Sequence, residues 1–238
     1  FNIISPKDFY NQRFSKKKLN ILLTFDDGYK SWLKNVIPYL RREKISAIFY
    51  IPSGFIEAGE NKRDFYVSKR LQLTTKKKPL SWQDIRNLDE QGFEIGGHTI
   101  NHLNLKKLDR QKLLQEIKQD KERIEEILGH GIISFAYPFG DMQRMSKEAI
   151  ICAQEAGYKF AFSTLPGFNA CEQRTTNAPM RKGACEQRNH EYVHANRFLL
   201  YRDCLSVLMS NILFKAWIYG CLLYTSPSPR DLSTSRMP

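Results

Sequence analysis

The sequence predicts an α/β fold, in which parallel strands form a sheet or barrel and helices cover its outer face. Over residues 1–169, short apolar runs rich in β-branched and aromatic residues alternate with longer amphipathic segments. This is the order of repeated βα units. The chain has 238 residues and is 42% hydrophobic, which is sufficient for a single α/β barrel with one sizeable core.

Five strands are expected along this region, with helices between them. The predicted strands are residues 19–25, 46–51, 93–97, 132–137 and 158–162. The first helix is predicted near residues 31–43, where Pro38 either kinks it or marks a late start. Residues 54–79 are polar and lysine-rich, and they are too long for a routine connection. We expect them to form an excursion that faces a bound substrate.

Start and stop signals delimit the remaining helices. Ser81, with Asp84 three residues later, forms a capping box ahead of a helix that reaches about residue 91. A long helix is predicted over residues 109–128, with its apolar side chains on one face and Gly129 at its end. The last helix is predicted over residues 146–157.

Two adjacent carboxylates, Asp26 and Asp27, follow the first predicted strand. Neighbouring side chains in a strand point to opposite faces, but at the strand end the backbone turns and both acids can reach one site. Two like charges buried together raise at least one pKa unless a cation or hydrogen bonds compensate. The pair therefore indicates a metal site with one Asp as ligand and the other free as a base. For an isolated Asp-Asp pair, a solvated turn or a helix cap is the alternative.

Two histidines, His98 and His102, follow the third predicted strand. Imidazoles four residues apart can converge on one ion if the segment is helical or tightly turned, and neutral imidazole suits zinc. One carboxylate with two histidines leaves coordination positions open, which is typical of catalytic metal centres. An isolated pair of this kind is a weak signal. Both the histidines and the aspartates come directly after predicted strands, and the active sites of α/β barrels lie at the carboxyl ends of the strands.

Three segments resemble the motifs of the polysaccharide deacetylase family, the NodB homology domain of carbohydrate esterase type. Residues 24–28 are similar to the family's Thr-Phe-Asp-Asp-Gly, and residues 98–102 to its His-Ser/Thr-x-x-His. Residues 135–140 resemble its aromatic-Pro-aromatic-Gly loop. The resemblance covers roughly residues 1–169. It implies a deformed (β/α) TIM-like barrel, here incomplete at its C-terminal end, with a catalytic domain over residues 1–200.

The resemblance also implies a role for each motif residue. Asp26 would be the general base that acts on the reacting water. The implied metal ligands are Asp27, His98 and His102. The implied substrate-binding residues, lining the acetyl and sugar pocket, are Tyr137, Pro138, Phe139 and Gly140.

The chemistry of amide hydrolysis suits these residue types. A bound divalent metal lowers the pKa of its water towards about 7 and polarises the carbonyl, and Asp26 can take the proton. We expect the backbone N–H of Tyr137 to help stabilise the oxyanion. The predicted reaction is removal of N-acetyl (or O-acetyl) groups from an N-acetylglucosamine-type polysaccharide. Zinc is the expected metal, and cobalt, nickel or iron would be tolerated.

Two features depart from the family's pattern. Many members carry an Arg two residues before the Pro of the third motif, where this chain has Ala136. Arg197 is our candidate for a base-orienting arginine, and an ordinary surface arginine is an equally good interpretation. The usual C-terminal Leu-x-x-His motif, which supplies the general acid, has no clear counterpart. His190 and His194 are the only late histidines, and neither follows a convincing strand.

The net charge of +12 bears on the kind of partner. Much of it lies in the lysine runs at residues 16–18 and 76–78. No aromatic platform or nucleic-acid motif accompanies these runs, so we interpret them as solvated loops or as attraction to anionic cell-envelope polymers. The expected partner is a polysaccharide and not nucleic acid. The resemblance implies an extracellular or cell-envelope location.

The C-terminal part is expected to contribute little. Residues 201–238 are predicted to be a disordered or artefactual tail, and we assign no function past about residue 200. Residues 205–224 are apolar at about the minimum length for a membrane helix, but Asn211 and Lys215 lie within them, so no stable membrane span is predicted. The five cysteines form no CxxC pair and support no disulfide framework.

Other functions remain open at this level. The chain could be a non-catalytic carbohydrate-binding relative or a truncated metal-binding remnant, since the arginine and the general acid are not located. It could also hydrolyse another C–N bond or an ester with the same centre. Tyr29, Trp32 and Trp82 could stack on sugar rings, although core packing is the better interpretation for both tryptophans.

Overall fold

The structure, a computed structural model, describes residues 1–15, 17–167, 169 and 197–202. The strands are β1 (Asn2–Ile3), β2 (Asn20–Ile21), β3 (Thr24–Phe25), β4 (Ile48–Ile51), β5 (Glu94–Gly97), β6 (Ser134–Ala136) and β7 (Phe160–Phe162). The helices are α1 (Pro6–Tyr10), α2 (Trp32–Asn35), α3 (Ile37–Arg42), α4 (Ser53–Ile56), α5 (Glu60–Phe65), α6 (Trp82–Glu90), α7 (Arg110–Leu128) and α8 (Lys147–Glu155). A π-helical turn covers Tyr66–Arg70 and a 3-10 turn covers Leu105–Lys107.

The central sheet has five parallel strands in the order β3-β4-β5-β6-β7. Residues 197–202 continue it, because Leu200 forms a parallel bridge with Phe162 and donates its N–H to the carbonyl of Ala161 at 2.9 Å. The sheet curls into a half-barrel with helices on its outer face. The predicted α/β fold, a deformed and incomplete (β/α) barrel, is confirmed.

The two faces of β4 show how the core is divided. Ile48 and Tyr50 pack inside the half-barrel, whereas Phe49 and Ile51 pack between the sheet and the helices. All four side chains are fully buried, because a parallel strand covered on both faces buries every residue. The larger core lies under the helices, and the barrel interior is a second, smaller cluster.

The first predicted strand, residues 19–25, is divided in the structure. Its first part, β2, pairs with β1 in a separate two-stranded sheet, and its last part, β3, pairs with β4. The chain changes its hydrogen-bonding partner between them. An apolar run predicts an extended backbone but carries no information about which neighbour each residue meets, so the single strand was wrong.

The predicted helix near residues 31–43 is also divided, into α2 and α3. Pro38 lies in the first turn of α3, where its missing N–H would have no partner in any case. The capping predictions are confirmed: Ser81 and Asp84 form a reciprocal capping box. Asp109 caps α7, and Gly129 ends it in the left-handed conformation at φ 77°.

Residues 54–79 were expected to be a polar excursion, but most of their first half is helical. They contain the end of α4, all of α5 and the π-helical turn. Phe55, Tyr66, Val67 and Leu71 form a small buried cluster of their own. Phe55 comes from α4, and Tyr66, Val67 and Leu71 come from the π-helical turn and the residue after it. The many lysines and arginines around these apolar residues obscured them in the sequence.

Among the described residues, no helix is both long enough and apolar enough to cross a membrane. The segment 205–224, the short tail after it, and His190 and His194 lie outside the described residues.

Candidate metal centre

Asp26 and Asp27 lie directly after β3, at the carboxyl end of the central sheet. Asp27 and Gly28 both have left-handed backbones, with φ values of 82° and 68°. Such a φ is uncommon for a residue with a side chain, and it turns the chain sharply at this point. The predicted turn after the first strand is therefore present, and it gives the two carboxylates different surroundings.

His98 follows β5 and lies on a tight turn that ends at His102. Thr99 and His102 have φ values of 65° and 48°, so the segment is turned and not helical. The Nε2 atoms of His98 and His102 lie 3.5 and 3.3 Å from Oδ1 of Asp27. The three potential ligand atoms lie within 4.8 Å of one another. The structure thus brings together the three residues that the sequence predicted as metal ligands.

The outer nitrogen of each imidazole is held by a backbone carbonyl. Nδ1 of His98 lies 2.7 Å from the carbonyl oxygen of Ala136, and Nδ1 of His102 lies 3.1 Å from that of Arg70. A carbonyl oxygen can only accept, so these contacts place a proton on each Nδ1, and the neutral form of each ring then carries its lone pair on Nε2. This second layer of contacts is typical of histidine ligands, since it fixes both the tautomer and the ring orientation.

The two carboxylate oxygens of Asp27 have different surroundings. Oδ2 accepts a hydrogen bond from the hydroxyl of Tyr29 at 2.5 Å, whereas Oδ1 is buried and has no hydrogen-bond partner among the described residues. A buried carboxylate oxygen without a partner is unfavourable. Here it faces two imidazole lone pairs, so three acceptors converge with no donor between them. A divalent cation fits this donor set.

The protonation states favour the same interpretation. Burial raises the pKa of Asp27, but the neighbouring rings of His98 and His102 and the hydroxyl of Tyr29 outweigh it and hold this pKa at about 2. Burial and the neighbouring His98 lower the pKa of His102 to about 4. Near pH 7 Asp27 is therefore ionised and His102 neutral, which are the forms that bind metals. Burial lowers the pKa of His98, but the two carboxylates raise it overall.

Asp26 is held by a guanidinium and not by the histidines. Arg202 donates from Nη1 to Oδ1 at 2.8 Å and from Nη2 to Oδ2 at 2.9 Å. Further contacts fix the guanidinium in turn, since it donates to the carbonyl of Ser163 and to the hydroxyl of Thr24. A two-pronged pair of this kind sets the plane of the carboxylate as well as its charge environment.

The arginine that meets Asp26 is Arg202, whereas the sequence prediction was Arg197. Arg197 is exposed, and its carbonyl oxygen accepts a hydrogen bond from Ala161, so its backbone extends the sheet. The limit that we set near residue 200 also excludes Arg202, which contacts Asp26. A signal was present, because Arg202 directly follows the apolar run of residues 198–201, and strand ends are where the other site residues were found.

The loop after β6 only partly matches its expected role. Tyr137 is fully buried, its hydroxyl donates to the carbonyl of Phe198 at 2.8 Å, and its N–H donates to that of Phe162 at 3.0 Å. Neither group faces the metal centre, so we withdraw Tyr137 as pocket lining and as oxyanion donor. The physical reason is that the β6–β7 hydrogen bonding continues one residue beyond β6.

Phe139 is the residue of this loop that reaches the site. Its ring lies 4.6 Å from the ring of His102, edge to face. On its other side the guanidinium of Arg144 lies 4.5 Å from the ring centroid. Phe139 and Gly140 turn the loop, with φ values of 60° and 63°, and the N–H of Gly140 donates to the carbonyl of Pro138 at 2.7 Å.

Several supporting residues of the site carry no clear signal in the sequence. Tyr29 was considered for sugar stacking, but its hydroxyl meets Asp27. Asp120 and Glu116 lie on the buried face of α7 and contact the backbone of the histidine turn. No sequence signal distinguished these two from the other charged residues of α7. His130, outside the site, is exposed and paired with Asp89.

The fold and the site together define the class of protein: an α/β half-barrel that carries an Asp-His-His cluster at the carboxyl ends of its parallel strands. The family model described as polysaccharide deacetylase matches residues 14–161. The chain belongs to the polysaccharide deacetylase family.

A curated relative is similar to most of the chain. The Bacillus subtilis protein YxkH, named as a polysaccharide deacetylase, is 24% identical over 176 residues, which cover 73% of this chain and 56% of that protein. The chain thus spans about half the length of this curated relative.

Two solved structures show the same fold. The Streptococcus pyogenes deacetylase PplD in complex with acetate has a TM-score of 0.65 at 19% identity, covering 90% of this chain and 77% of that one. A polysaccharide deacetylase from Bacillus cereus has a TM-score of 0.63 at 21% identity, covering 92% and 56%.

Proposed function

We propose that this protein is a metal-dependent deacetylase that removes N-acetyl groups from an N-acetylglucosamine-type polysaccharide. Asp27, His98 and His102 would hold the metal, and zinc suits this donor set best. The observation that carries the proposal is the convergence of three acceptor atoms, Oδ1 of Asp27 and the two Nε2 atoms, without a donor between them.

When bound, the metal would lower the pKa of a water molecule and polarise the amide carbonyl. The protein would supply the base. Asp26 lies next in sequence to the proposed ligand Asp27, and its side chain is 29% exposed, so a water molecule and a substrate can reach it. Each of its oxygens keeps further lone pairs while it accepts from Arg202. Asp26 would take the proton of the attacking water.

Arg202 would act by orientation. Its side chain is only 10% exposed, and its guanidinium is held by Ser163 and Thr24 as well as by Asp26. The base would therefore keep one rotamer through the reaction, and fixed geometry of this kind is a large part of catalysis. Phe139, packed against His102, would shape the side of the pocket that receives the acetyl group.

The substrate class and the location rest on the family. Membership supports a polysaccharide as substrate and the cell envelope or exterior as the place of action. The net charge of +12 would favour approach to anionic envelope polymers.

Acetate release from an acetylated glucosamine oligomer tests the proposal. We expect release by the zinc-loaded protein, loss of release after chelator treatment and dialysis, and recovery on adding zinc. Asp26→Asn serves as the control for contaminating esterases. Release that survives chelation would contradict the metal mechanism. Oligomer binding without any acetate release would favour the non-catalytic carbohydrate-binding alternative.

A further inference from the structure

The buried face of α7 carries two carboxylates, Glu116 and Asp120, and both residues are fully buried. They are four residues apart, so they lie one above the other on the same side of the helix. A buried carboxylate is unfavourable unless its oxygens are well paired. The partners of these two are therefore informative.

Asp120 joins the ends of two strands. Its Oδ1 accepts from the backbone N–H of Ser53 at 2.8 Å, and its Oδ2 accepts from the backbone N–H of His98 at 2.9 Å. Ser53 begins α4 shortly after β4, and His98 directly follows β5. One side chain thus fixes the backbone of a candidate metal ligand to the neighbouring strand end.

Glu116 holds the next part of the same turn. Its Oε2 accepts from the backbone N–H of Asn101 and its Oε1 from the side-chain amide of Asn101, both at 2.8 Å. Its backbone carbonyl accepts from the N–H of Ile100 at 3.2 Å. Helix α7 therefore contacts the histidine turn at three of its backbone N–H groups.

The turn needs such support. Thr99 and His102 occupy the left-handed region, and residues with side chains stay there only when their surroundings determine the conformation. The spacing between the two imidazoles depends on that conformation, because both Nε2 atoms must reach Oδ1 of Asp27.

We propose that Asp120 is a positioning residue for the metal centre: it sets the place of His98 through the backbone N–H and thereby the metal affinity. The inference rests on the proposed metal site. Outer contacts of metal ligands commonly change affinity by about 10–100-fold when removed. The hydrogen bonds described for Asp120 go to the backbone N–H groups of Ser53 and His98 and not to a metal-ligand atom.

Two matched amide substitutions separate Asp120 from Glu116. In Asp120→Asn, one of the two backbone N–H groups would face the new NH2 group, and a backbone donor cannot turn away. In Glu116→Gln, the amide of Asn101 can flip so that both contacts are kept. The two variants lose the same charge from the same buried face, but only the first loses an acceptor that nothing can replace.

The measurement is zinc affinity by competition with a chromogenic chelator, together with the absorption spectrum of the cobalt-substituted protein. Both are taken at a temperature where circular dichroism shows each variant fully folded. We expect Asp120→Asn to bind zinc about 10–100-fold more weakly with an altered cobalt spectrum, and Glu116→Gln to remain within about threefold of wild type. Wild-type affinity and spectrum in Asp120→Asn would overturn the inference.

If Asp120→Asn does not fold, Asp120→Glu replaces it, since it keeps the charge and both acceptors but moves them by one methylene. Weakened zinc binding with a changed spectrum supports the positioning role, and unchanged values overturn it. Zinc binding by the wild-type protein distinguishes a failure of this inference from a failure of the proposed function. Failure of the wild type to bind zinc would overturn the metal mechanism itself, whereas the variant comparison decides the role of Asp120.

Discussion

At the scale of single residues, the two adjacent aspartates show how neighbours, and not residue type, decide chemistry. Asp27 faces two imidazoles and a tyrosine hydroxyl, and Asp26 faces a guanidinium. A left-handed backbone at Asp27 separates the two directions. The sequence suggested that the pair divides into ligand and base, and the surroundings of each carboxylate favour that division.

The division predicts opposite losses in two matched variants. Asp26→Asn should lower acetate release by at least about 100-fold, because a general base is removed, and should retain zinc. Asp27→Asn should lose zinc, because the amide replaces an ionised ligand. Zinc retention is read from the rise in Tm on adding zinc, since binding to the folded state stabilises it. Equal loss of zinc in the two variants would contradict the assignment.

A second prediction at this scale concerns the arginine. Arg202→Lys keeps the charge but loses the two-pronged contact to Asp26, and lysine cannot reproduce that geometry. Loss of one charge-assisted hydrogen bond is worth about 1.5–3 kcal/mol, so we expect acetate release to fall by about 10–100-fold with zinc binding unchanged.

Arg197→Lys is the matched control for that variant, and its activity should equal that of wild type. The reverse result, a loss in Arg197→Lys and none in Arg202→Lys, would restore the sequence-based choice of Arg197. The zinc-induced rise in Tm checks that neither substitution has disturbed the metal ligands.

At the scale of elements, close approach between β5 and its neighbours leaves no room for a side chain at Gly97. A Cβ there would lie 2.0 Å from the hydroxyl oxygen of Tyr158 and 3.1 Å from Oδ2 of Asp120. The absence of a side chain at Gly97 lets the helix carboxylate reach the N–H of the next residue, His98. Packing at the strand end and the geometry of the metal centre are thus connected.

Gly97→Ala should therefore destabilise the protein by about 1–3 kcal/mol, the usual effect of overpacking. Tyr158→Phe should recover part of this loss, because the hydroxyl that clashes is buried and has no hydrogen-bond partner among the described residues. Chemical denaturation of the single and double variants measures the coupling. Gly59→Ala, at a position with open space around it, should be neutral. Additive effects in the double variant would contradict the close approach.

The capping box of α6 predicts a pH dependence. Asp84 accepts from Ser81 and pairs with Lys30. Burial raises the pKa of Asp84, but these contacts outweigh it and lower the pKa overall. A carboxyl whose pKa is lower in the folded state contributes stability above its unfolded pKa of about 3.9, and this contribution is lost as pH falls through the folded value.

Asp84→Ala should therefore lower stability by about 1 kcal/mol at pH 7, and the difference from wild type should shrink as the pH falls from about 5 to about 3. Thermal unfolding across that range measures it. Asp64→Ala is the control, since Asp64 is exposed and its contact with Lys76 is long, at 3.9 Å. A difference that stays constant down to pH 3 would contradict the ionic contribution of Asp84.

The elements also show how far sequence can predict this structure. Strand existence, helix caps and the Asp-His-His cluster were predictable, because apolar periodicity, capping residues and short motifs act locally. The division of residues 19–25, the pairing of Tyr137 and the buried contacts of Asp120 were not. Each of these depends on which distant backbone lies alongside, and the periodicity of one segment does not carry that information.

At the scale of the whole molecule, the site is closed by residues far apart in sequence. Arg202 and Asp26 are separated by 176 positions, and they meet because residues 197–202 lie beside β7 at the edge of the half-barrel. The compact unit that contains the site extends from Phe1 to Asp203. The edge segment therefore belongs to the proposed catalytic domain, whose limit we move from residue 200 to residue 203.

Two shortened chains test that limit. A chain that ends at Asp203 should keep the zinc-induced rise in Tm and the acetate release of the full chain, because every contact described for the site is retained.

A chain that ends at residue 196 lacks the bridge between Phe162 and Leu200, the buried side chain of Leu200 and the arginine that pairs with Asp26. Burial of one leucine contributes about 1.5–3 kcal/mol, so this chain should have a Tm lower by several degrees and no acetate release. Wild-type activity in the chain ending at residue 196 would show that the base needs no arginine. Inactivity of the chain ending at Asp203 would show that residues 204–238 contribute to the site.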